Sequence, residues 1–255
     1  MQPTKIKPPF AWVGAKTKIA KKIVEKMPDH KSYIEVFAGG LSVLYAKPKI
    51  SKVPEIINDL NKELVNLHRV IQTHPCTFGQ RLEKMFCSRQ IFSEIVAGKI
   101  KPKDDVDKAV FYYYLIINSF AGRGVSFAMP KSRPPKKIYK DFGVWSKRLS
   151  GVCIENLSFE KILKEYDREG ALFYLDPPYY KTEHYYNNVL KFGEKEHRLL
   201  AEILKSIKGK FMLSYNDDPF IKELYRDFNI EKIETEYTLN IKHRKKVTEL
   251  LIKNF

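Results

Sequence analysis

Apolar stretches of strand length alternate along this 255-residue chain with segments whose apolar residues recur at helical spacing. The first predicted strand, residues 32–37, leads into a Gly39-Gly40 pair, and residues 60–71 then repeat as one face of a helix does. Because strands that alternate with helices lie side by side and parallel, the pattern predicts an α/β fold with a mainly parallel sheet. Further predicted strands are residues 55–58, 171–175, 211–215 and 248–252, and a further predicted helix is residues 194–207.

The middle of the chain breaks this alternation. From about Thr73 to Leu157, clusters of proline, lysine and aromatic residues replace the regular periodicity. We therefore expect one domain made of residues 1–61 and 158–255, interrupted by an inserted, mainly helical domain of residues 62–157.

Composition excludes several classes of protein. Hydrophobic residues make up 44% of the chain, which is too many for a disordered protein. The longest apolar run, residues 109–117, falls far short of the ~20 residues that a membrane-spanning helix needs. The first ten residues lack the apolar core of a secretory signal. The three cysteines are widely spaced, which disfavours a disulfide framework or a zinc site. The six histidines also lack the spacing of metal ligands.

The charge of the chain points to a partner. Lysine and arginine outnumber the acidic residues 46 to 30, which gives a net charge of +16. The excess is clustered, because residues 99–150 carry 12 basic and 4 acidic side chains and residues 5–31 carry 8 and 2. Clustered positive charge favours a polyanion, most commonly nucleic acid. A lysine-rich proteome that makes every protein basic is the alternative.

The tetrapeptide Asp176-Pro177-Pro178-Tyr179 directly follows the predicted strand 171–175. At average residue frequencies, chance would place it in about one chain of this length in a thousand. It lies where α/β sheets bind ligands, at the carboxyl end of a strand. Its two prolines fix the backbone φ angle and stiffen the loop. The alternative is a strand-end turn with a tyrosine that has no function.

With this motif the chain resembles the DNA adenine N6-methyltransferases of the Dam type, the D12 class, whose hallmark is Asp-Pro-Pro-Tyr. The resemblance implies the Rossmann-like sheet of the S-adenosylmethionine-dependent methyltransferases, with residues 62–157 as an inserted target-recognition domain. It implies transfer of a methyl group from S-adenosyl-L-methionine to N6 of an adenine flipped out of duplex DNA. The order of glycine loop, insertion and Asp-Pro-Pro-Tyr corresponds to the alpha class.

The catalytic roles follow from the chemistry of adenine. Its N6 lone pair is delocalised into the ring, so the amine is a weak nucleophile. The resemblance implies that the Asp176 carboxylate and the Pro177 carbonyl accept the amine hydrogens and aim this lone pair. Tyr179 would stack on the extruded base. Pro178 completes the stiff loop, and Asp176 also lies beside the cofactor in similar enzymes.

Two N-terminal segments resemble the cofactor elements of the same family. Residues 10–16 are similar to its Trp-x-Gly-Gly-Lys element, which implies that Trp12 and Lys16 help to bind the cofactor; a basic helix start is the alternative. Residues 35–42 resemble the loop after the first strand, with Leu41 where a second glycine is usual; an ordinary turn is the alternative. The residues of this loop expected to bind the cofactor are Glu35, Phe37, Ala38, Gly39 and Gly40.

Asp59 is the candidate ligand of the cofactor ribose. It lies 20 residues after Gly39, at the end of the second predicted strand. In cofactor-binding α/β folds an acidic residue at about this distance binds the ribose hydroxyls. The alternative is a helix cap.

Candidate DNA contacts lie in the middle segment. The resemblance there is confined to Asn118-Ser-Phe-Ala-Gly122, which makes Asn118 a candidate. Glycines on both sides of Arg123 would let a tight loop enter a groove, where arginine can read guanine O6 and N7. A plain surface turn is the alternative for Arg123. The predicted phosphate contacts on the proline-rich stretch beyond it are Lys131, Arg133, Lys136 and Lys137.

Two aromatic clusters remain. Tyr112, Tyr113 and Tyr114 are predicted to form the buried side of a helix rather than a stacking platform. Residues 185–188, two tyrosines and two asparagines, would either close over the flipped base or form a solvated loop.

The sequence thus predicts a site-specific DNA adenine methyltransferase with double-stranded DNA as its partner and no membrane. We expect it in the cytoplasm of a prokaryotic cell, or of the host if a phage encodes it, as a monomer or weak dimer with a cognate restriction endonuclease. Two rival functions are a methyltransferase of RNA or protein glutamine and a catalytically dead nucleic-acid binder. In methyltransferases of RNA or protein glutamine, asparagine commonly stands at the position of Asp176, which disfavours that function here. A catalytically dead binder would not need Lys16, Asp59 and Asp176, which are all present.

Overall fold

The computed structural model describes residues 6–128, 138–182, 192–237 and 245–255. The strands among these residues, numbered along the chain, are β1 Ser32–Glu35, β2 Glu55–Asn58, β3 Val152–Glu155, β4 Ala171–Leu175, β5 Lys210–Asn216, β6 Asn229–Tyr237 and β7 Lys245–Lys253. They form one sheet in the order β3-β2-β1-β4-β5-β7-β6. Strands β1 to β5 pair in parallel, and β7 runs antiparallel to both β5 and β6. The predicted α/β fold with a mainly parallel sheet is confirmed.

Helices cover both faces of the sheet. Within the described residues they are α1 Ala20–Glu25, α2 Ser42–Ala46, α3 Lys62–Thr73, α4 Pro75–Glu83, α5 Arg89–Val96, α6 Asp105–Ile117, α7 Gly143–Leu149, α8 Phe159–Tyr166, α9 Glu194–Lys205 and α10 Pro219–Leu224. A short 3₁₀ turn, Phe120–Gly122, follows α6. In the part of the chain that the structure describes, no helix is both long and apolar enough to cross a membrane.

Successive residues of the strands feed two separate cores. Tyr33 and Tyr174 pack in the core formed with α1 to α7, whereas their neighbours Ile34 and Phe173 pack in the core formed with α8 to α10. This alternation follows from the period of two of a strand, and burial on both faces is usual for a parallel sheet. The fully apolar sequence of β4 is thereby explained.

The middle segment is mainly helical, as predicted, since residues 62–157 contain α3 to α7. It also supplies β3, which pairs in parallel with β2 and was not predicted. Only Val152 of this strand is buried, and its apolar run, residues 152–154, is only three residues long. The division into domains at residues 62 and 157 stays a proposal, and one edge strand of the sheet lies inside the middle segment.

A buried ion cluster fastens the end of this segment to the sheet. Glu55 of β2 accepts hydrogen bonds from Arg148 at 2.6 and 3.0 Å and from Lys47 at 3.1 Å. Arg148 also donates to the Leu44 carbonyl at 2.9 Å. All three charged side chains are at most 7% exposed. Such a cluster joins α7, β2 and the end of α2 at one point.

Removing one member of this cluster should be costly. Arg148→Met should lower the free energy of unfolding by about 3–5 kcal/mol, because Glu55 would stay buried with Lys47 alone. Denaturant titration measures the change. Arg226→Met, which breaks an exposed pair with Glu223, should cost about 1 kcal/mol or less. A loss at Arg148 no larger than at Arg226 would contradict the role of the cluster.

Candidate active site

A pocket of about 360 Å³ opens at the carboxyl ends of β1, β2 and β4. Its wall combines the N-terminal segment 12–16, the loop after β1, the end of β2, the start of the Asp-Pro-Pro-Tyr loop and residues from α6 onward. Among the predicted cofactor residues, those lining it are Trp12, Lys16, Glu35, Phe37, Ala38, Gly39, Gly40, Asp59 and Asp176. The structure therefore brings every one of them to a single cavity.

The Gly39-Gly40 pair lies against the indole of Trp12. A Cβ atom added to Gly39 would lie 3.0 Å from Trp12 Cδ1, and one added to Gly40 would lie 2.9 Å from Trp12 Cβ. The contact at Gly40 is closer than side chains show, and Gly39 combines a tight contact with a φ of 49°, so a side chain at either position would force Trp12 or the loop to shift. The segment around Trp12 is not a helix start, because α1 begins only at Ala20.

Leu41, where the family resemblance would place a second glycine, has a backbone conformation that favours glycine. Its φ is 59° and its ψ is 34°, in the left-handed region, and its side chain is fully buried. For a leucine this conformation costs about 1–2 kcal/mol. The loop thus keeps a left-handed residue at this position, and burial of the leucine side chain offsets the strain.

Asp59 fixes the same loop from the second strand. Its Oδ2 accepts the Gly39 N–H and its Oδ1 accepts the Asn61 N–H, each at 2.9 Å. The cap of α3 is Asn61, whose side chain accepts the N–H groups of Glu63 and Leu64. The helix-cap alternative for Asp59 is therefore wrong, and its carboxylate has further acceptor capacity toward the pocket.

His68 is a site residue that the sequence analysis missed. Its Nε2 donates to the Gly39 carbonyl at 2.9 Å, and its ring stacks on Phe10. Burial lowers the pKa of His68 to about 4, so the ring is neutral near pH 7 and can donate in this way. The available signal was its spacing: His68 is four residues after Leu64, on the inward face of α3.

Glu35 is buried beneath the pocket. Its carboxylate accepts the Tyr33 hydroxyl at 2.7 Å. Burial raises the pKa of Glu35 to about 8, so this carboxyl is largely protonated at neutral pH. It can therefore present a hydrogen-bond donor to a ligand.

Lys16 and Asp176 form the central contact of the site. Lys16 Nζ lies 2.7 Å from Asp176 Oδ2 and donates to the Gly14 carbonyl at 2.6 Å. The lysine side chain is 4% exposed and that of Asp176 is 18% exposed. Within the described residues, Asp176 Oδ1 is buried and has no hydrogen-bond partner. One carboxylate oxygen is thus occupied, and the other is available.

The charge state of Asp176 is set by its surroundings. Burial raises its pKa to about 6, and the Glu249 carboxylate adds to the rise. Lys16 and the Tyr179 hydroxyl oppose it. At neutral pH Asp176 is therefore mainly ionised and able to accept hydrogen bonds.

Tyr179 is held at two points. Its hydroxyl donates to Glu249 Oε2 on β7 at 2.7 Å, and Lys16 Nζ lies 4.8 Å from its ring centroid. Glu249 is the second site residue that sequence analysis missed. Pro177 and Pro178 are buried, and Pro178 lines the pocket. The stacking role of Tyr179 stays a prediction.

The residues after α6 form the mouth of the pocket. Phe120 and Val125 are exposed there, and Arg123 lies between them on the rim. Gly122 has a φ of 73°, and a Cβ atom on it would lie 2.6 Å from the Ala11 carbonyl oxygen. Only glycine therefore lets this loop pack on the N-terminal segment. The reading of guanine by Arg123 stays a prediction.

The other DNA candidates have different outcomes. Asn118 is buried, and its amide donates to the Tyr114 carbonyl at 3.0 Å at the end of α6. This gives it a structural role, and its contact with DNA stays a prediction. Tyr113 and Tyr114 are fully buried, as predicted, whereas Tyr112 also lines the pocket. Candidates outside the described residues are Lys131, Arg133, Lys136, Lys137 and residues 185–188.

Residues 12–239 match the family of D12 class N6 adenine-specific DNA methyltransferases. The chain belongs to this family. The expected activity, adenine-specific DNA methylation, and the expected methyl donor, S-adenosylmethionine, are thereby confirmed. Because the family consists of DNA enzymes, the alternative of an RNA or protein-glutamine methyltransferase is not supported.

Three relatives resemble the methyltransferase along nearly its whole length. Type II methyltransferase M1.LlaDCHI of Lactococcus lactis subsp. cremoris is 28% identical, and the matched region covers 98% of this chain and 96% of that relative. Type II methyltransferase M.CviBI of Paramecium bursaria Chlorella virus NC1A is 28% identical, with 98% and 100% covered. Type II methyltransferase M.MjaIII of Methanocaldococcus jannaschii is 29% identical, with 98% and 99% covered.

The pocket of the methyltransferase fits its cofactor. Its volume lies in the range of about 300–1,000 Å³ that is usual for ligand sites. A Cβ-free turn at Gly39-Gly40 lines one wall, and the unpartnered Asp176 Oδ1 lies at another. Among the described residues, no group of three or more His, Cys, Asp or Glu side chains could hold a metal ion.

The left-handed residue at position 41 can be tested by stability. Leu41→Gly should be at least as stable as Leu41→Ala, because glycine removes the backbone strain that alanine keeps. At Leu44, buried in α2, the order should reverse, with glycine less stable by about 1 kcal/mol. Thermal or denaturant unfolding of the four variants measures the two differences. Equal differences at both positions would contradict the strain at Leu41.

Proposed function

We propose that this methyltransferase is site-specific and acts on an adenine turned out of duplex DNA, with Asp176 accepting a hydrogen of the N6 amine. The observation that carries the proposal is the unpartnered, buried Oδ1 of Asp176 at the cofactor pocket. A buried acceptor without a donor is costly, so a substrate N–H at this oxygen would be bound favourably.

The geometry divides the two carboxylate oxygens between two tasks. Oδ2 is bound by Lys16, which holds the side chain in one orientation and opposes its protonation. Oδ1 can then accept one amine hydrogen, and the Pro177 carbonyl can accept the other. Both acceptors sit on a loop whose φ angles the prolines fix, so the amine would be aimed rather than merely bound. The amine proton can leave to water after transfer.

The cofactor residues are proposed from the wall of the pocket. S-adenosylmethionine supplies a methyl group on a positively charged sulfonium. We assign the ribose hydroxyls to Asp59, whose carboxylate is fixed by two backbone N–H groups. Trp12, Glu35, Phe37 and the 38–40 loop would enclose the rest of the molecule.

We further propose that residues 62–157 contain the DNA-recognising part of the enzyme, within a catalytic unit of residues 1–61 and 158–255. The clustered basic charge of residues 99–150 supports this assignment. In it, Lys131, Arg133, Lys136 and Lys137 contact phosphates. Arg123 contacts a base from the rim of the pocket.

A cognate restriction endonuclease is the proposed partner, since the relatives above are named Type II methyltransferases. DNA from cells that express the enzyme should then resist a nuclease of the same sequence specificity. We propose a monomer or weak dimer. Sedimentation at several protein concentrations tests this.

Replacing the proposed acceptor should remove activity. Asp176→Ala should abolish methylation of adenine, because the amine loses the oxygen that orients it. Transfer of labelled methyl groups to duplex DNA measures activity, and circular dichroism confirms folding. The matched control is Asp167→Ala, which removes a carboxylate bound to the Lys208 and Gly209 N–H groups in the loop before β5. Activity of Asp176→Ala within a few-fold of wild type would refute the assignment.

The ribose assignment predicts a loss of cofactor affinity. Asp59→Ala removes a charge-assisted hydrogen bond worth about 1.5–3 kcal/mol, so the Kd for S-adenosylmethionine should rise roughly 10- to 150-fold. Calorimetric titration measures it. Asp141→Ala is the control, since that exposed carboxylate accepts the Gly143 N–H at 2.9 Å in the same two-residue arrangement. A Kd for Asp59→Ala equal to that of wild type would exclude the role.

A further inference from the structure

We propose that Glu249 is a positioning residue for methyl transfer, which fixes Tyr179 through its hydroxyl and with it the Asp176–Tyr179 loop. The inference rests on the proposed function of that loop. Glu249 and Tyr179 lie outside the lining of the cofactor pocket, whereas Asp176 and Pro178 of the same loop line it. Glu249 is hydrogen-bonded to Tyr179, so it would act through Tyr179 and this loop rather than by contact with the cofactor.

The contacts of Tyr179 carry the first step. Its hydroxyl donates to Glu249 Oε2 at 2.7 Å, and the Glu249 side chain is only 4% exposed. A hydrogen bond to a carboxylate acceptor is stronger than one between two neutral groups. Since Lys16 Nζ also lies over the ring, the tyrosine is fixed at its hydroxyl and at one face. The orientation of the ring is therefore set by two charged groups.

The sheet provides the second step. Glu249 of β7 pairs with Asn216 of β5 across the antiparallel ladder. Asn216 Nδ2 donates to the Tyr180 carbonyl at 3.2 Å. Two neighbouring strands thus hold two successive tyrosines of the loop. The antiparallel strand β7 thereby supplies a side chain that contacts the Asp-Pro-Pro-Tyr loop.

Electrostatics gives the third step. The groups that face Asp176 are Lys16, Tyr179, Glu249 and Tyr174. Glu249 lies 4.0 Å from Lys16 Nζ and raises the pKa of Asp176, whereas Lys16 lowers it. Removing the charge of Glu249 while keeping an acceptor should therefore lower the pKa of Asp176. A residue with a merely structural role would leave this pKa unchanged.

The experiment compares Glu249→Leu, Glu249→Gln, Tyr179→Phe and the double variant Tyr179→Phe/Glu249→Leu. The substrate is a duplex that carries the site found by sequencing DNA methylated in expressing cells. Single-turnover rates isolate methyl transfer. Glu249→Leu and Tyr179→Phe should each be about 10-fold slower or more, with cofactor Kd within about 3-fold of wild type. The double variant should be no slower than the slower single variant.

Glu249→Gln keeps an oxygen that can accept the Tyr179 hydroxyl. Its rate near pH 8 should stay within about 3-fold of wild type, and the acid limb of its pH–rate profile should move to lower pH. The matched control is Glu231→Gln on β6, which loses a half-exposed pair with Lys26 and should change neither the rate nor the profile.

Effects that multiply in the double variant, or a wild-type rate for Tyr179→Phe, would overturn the proposal. An unshifted acid limb in Glu249→Gln would do the same. If Glu249→Leu does not fold, Tyr179→Phe and Glu249→Gln decide the question. Absence of adenine methylation by the wild type would refute the proposed function itself, whereas additive variants of an active wild type refute only the role of Glu249.

Discussion

The buried contact between Lys16 and Asp176 joins parts of the chain that are 160 residues apart. An ammonium group that is 4% exposed is stable in a protein only if it is paired, and Lys16 gains a carboxylate and a backbone carbonyl. The pair therefore anchors the N-terminal segment above the carboxyl ends of β1 and β4. With that segment in place, Trp12 covers the glycine turn and the Ala11 carbonyl receives the loop of Gly122. The Lys16–Asp176 ion pair thus holds the N-terminal segment against the other walls of the pocket.

The sequence predicted those strands whose residues are buried one after another, since such burial leaves a pattern in the local sequence. Strands β1, β2 and β4 are buried at every residue, and the apolar residues in or directly after each of them were visible without the structure. The edge strand β3 is partly exposed, and the two isoleucines of β6 are separated by charged residues, so that β6 has no apolar run. β3 pairs with β2, which lies about a hundred residues earlier in the chain, and local periodicity does not encode such a pairing.

The same distinction separates the predicted site residues from the missed ones. Asp176 and Asp59 stand directly after strands, where the geometry of an α/β sheet makes a functional role probable from position alone. Glu249 stands inside a strand and meets Tyr179 only because β7 is inserted between β5 and β6. His68 lies on the inward face of a helix, where most residues only pack. Leu41 is a different case. The loop imposes a left-handed backbone on it, and a leucine gives no sign of that conformation in the sequence.

Two opposite electrostatic demands meet in this molecule. A protein that binds DNA needs a positive surface, and the net charge of +16 supplies it. The site itself gathers acidic groups, because Asp176 lines the pocket and Glu249 lies near enough to raise the pKa of Asp176. Exposed cations more than about 8–10 Å away have little effect on the charge of these groups, because salt screens interactions between exposed charges beyond this distance. Lys16 is buried with both carboxylates, and its contact with one oxygen of Asp176 offsets part of the negative charge that the other oxygen presents.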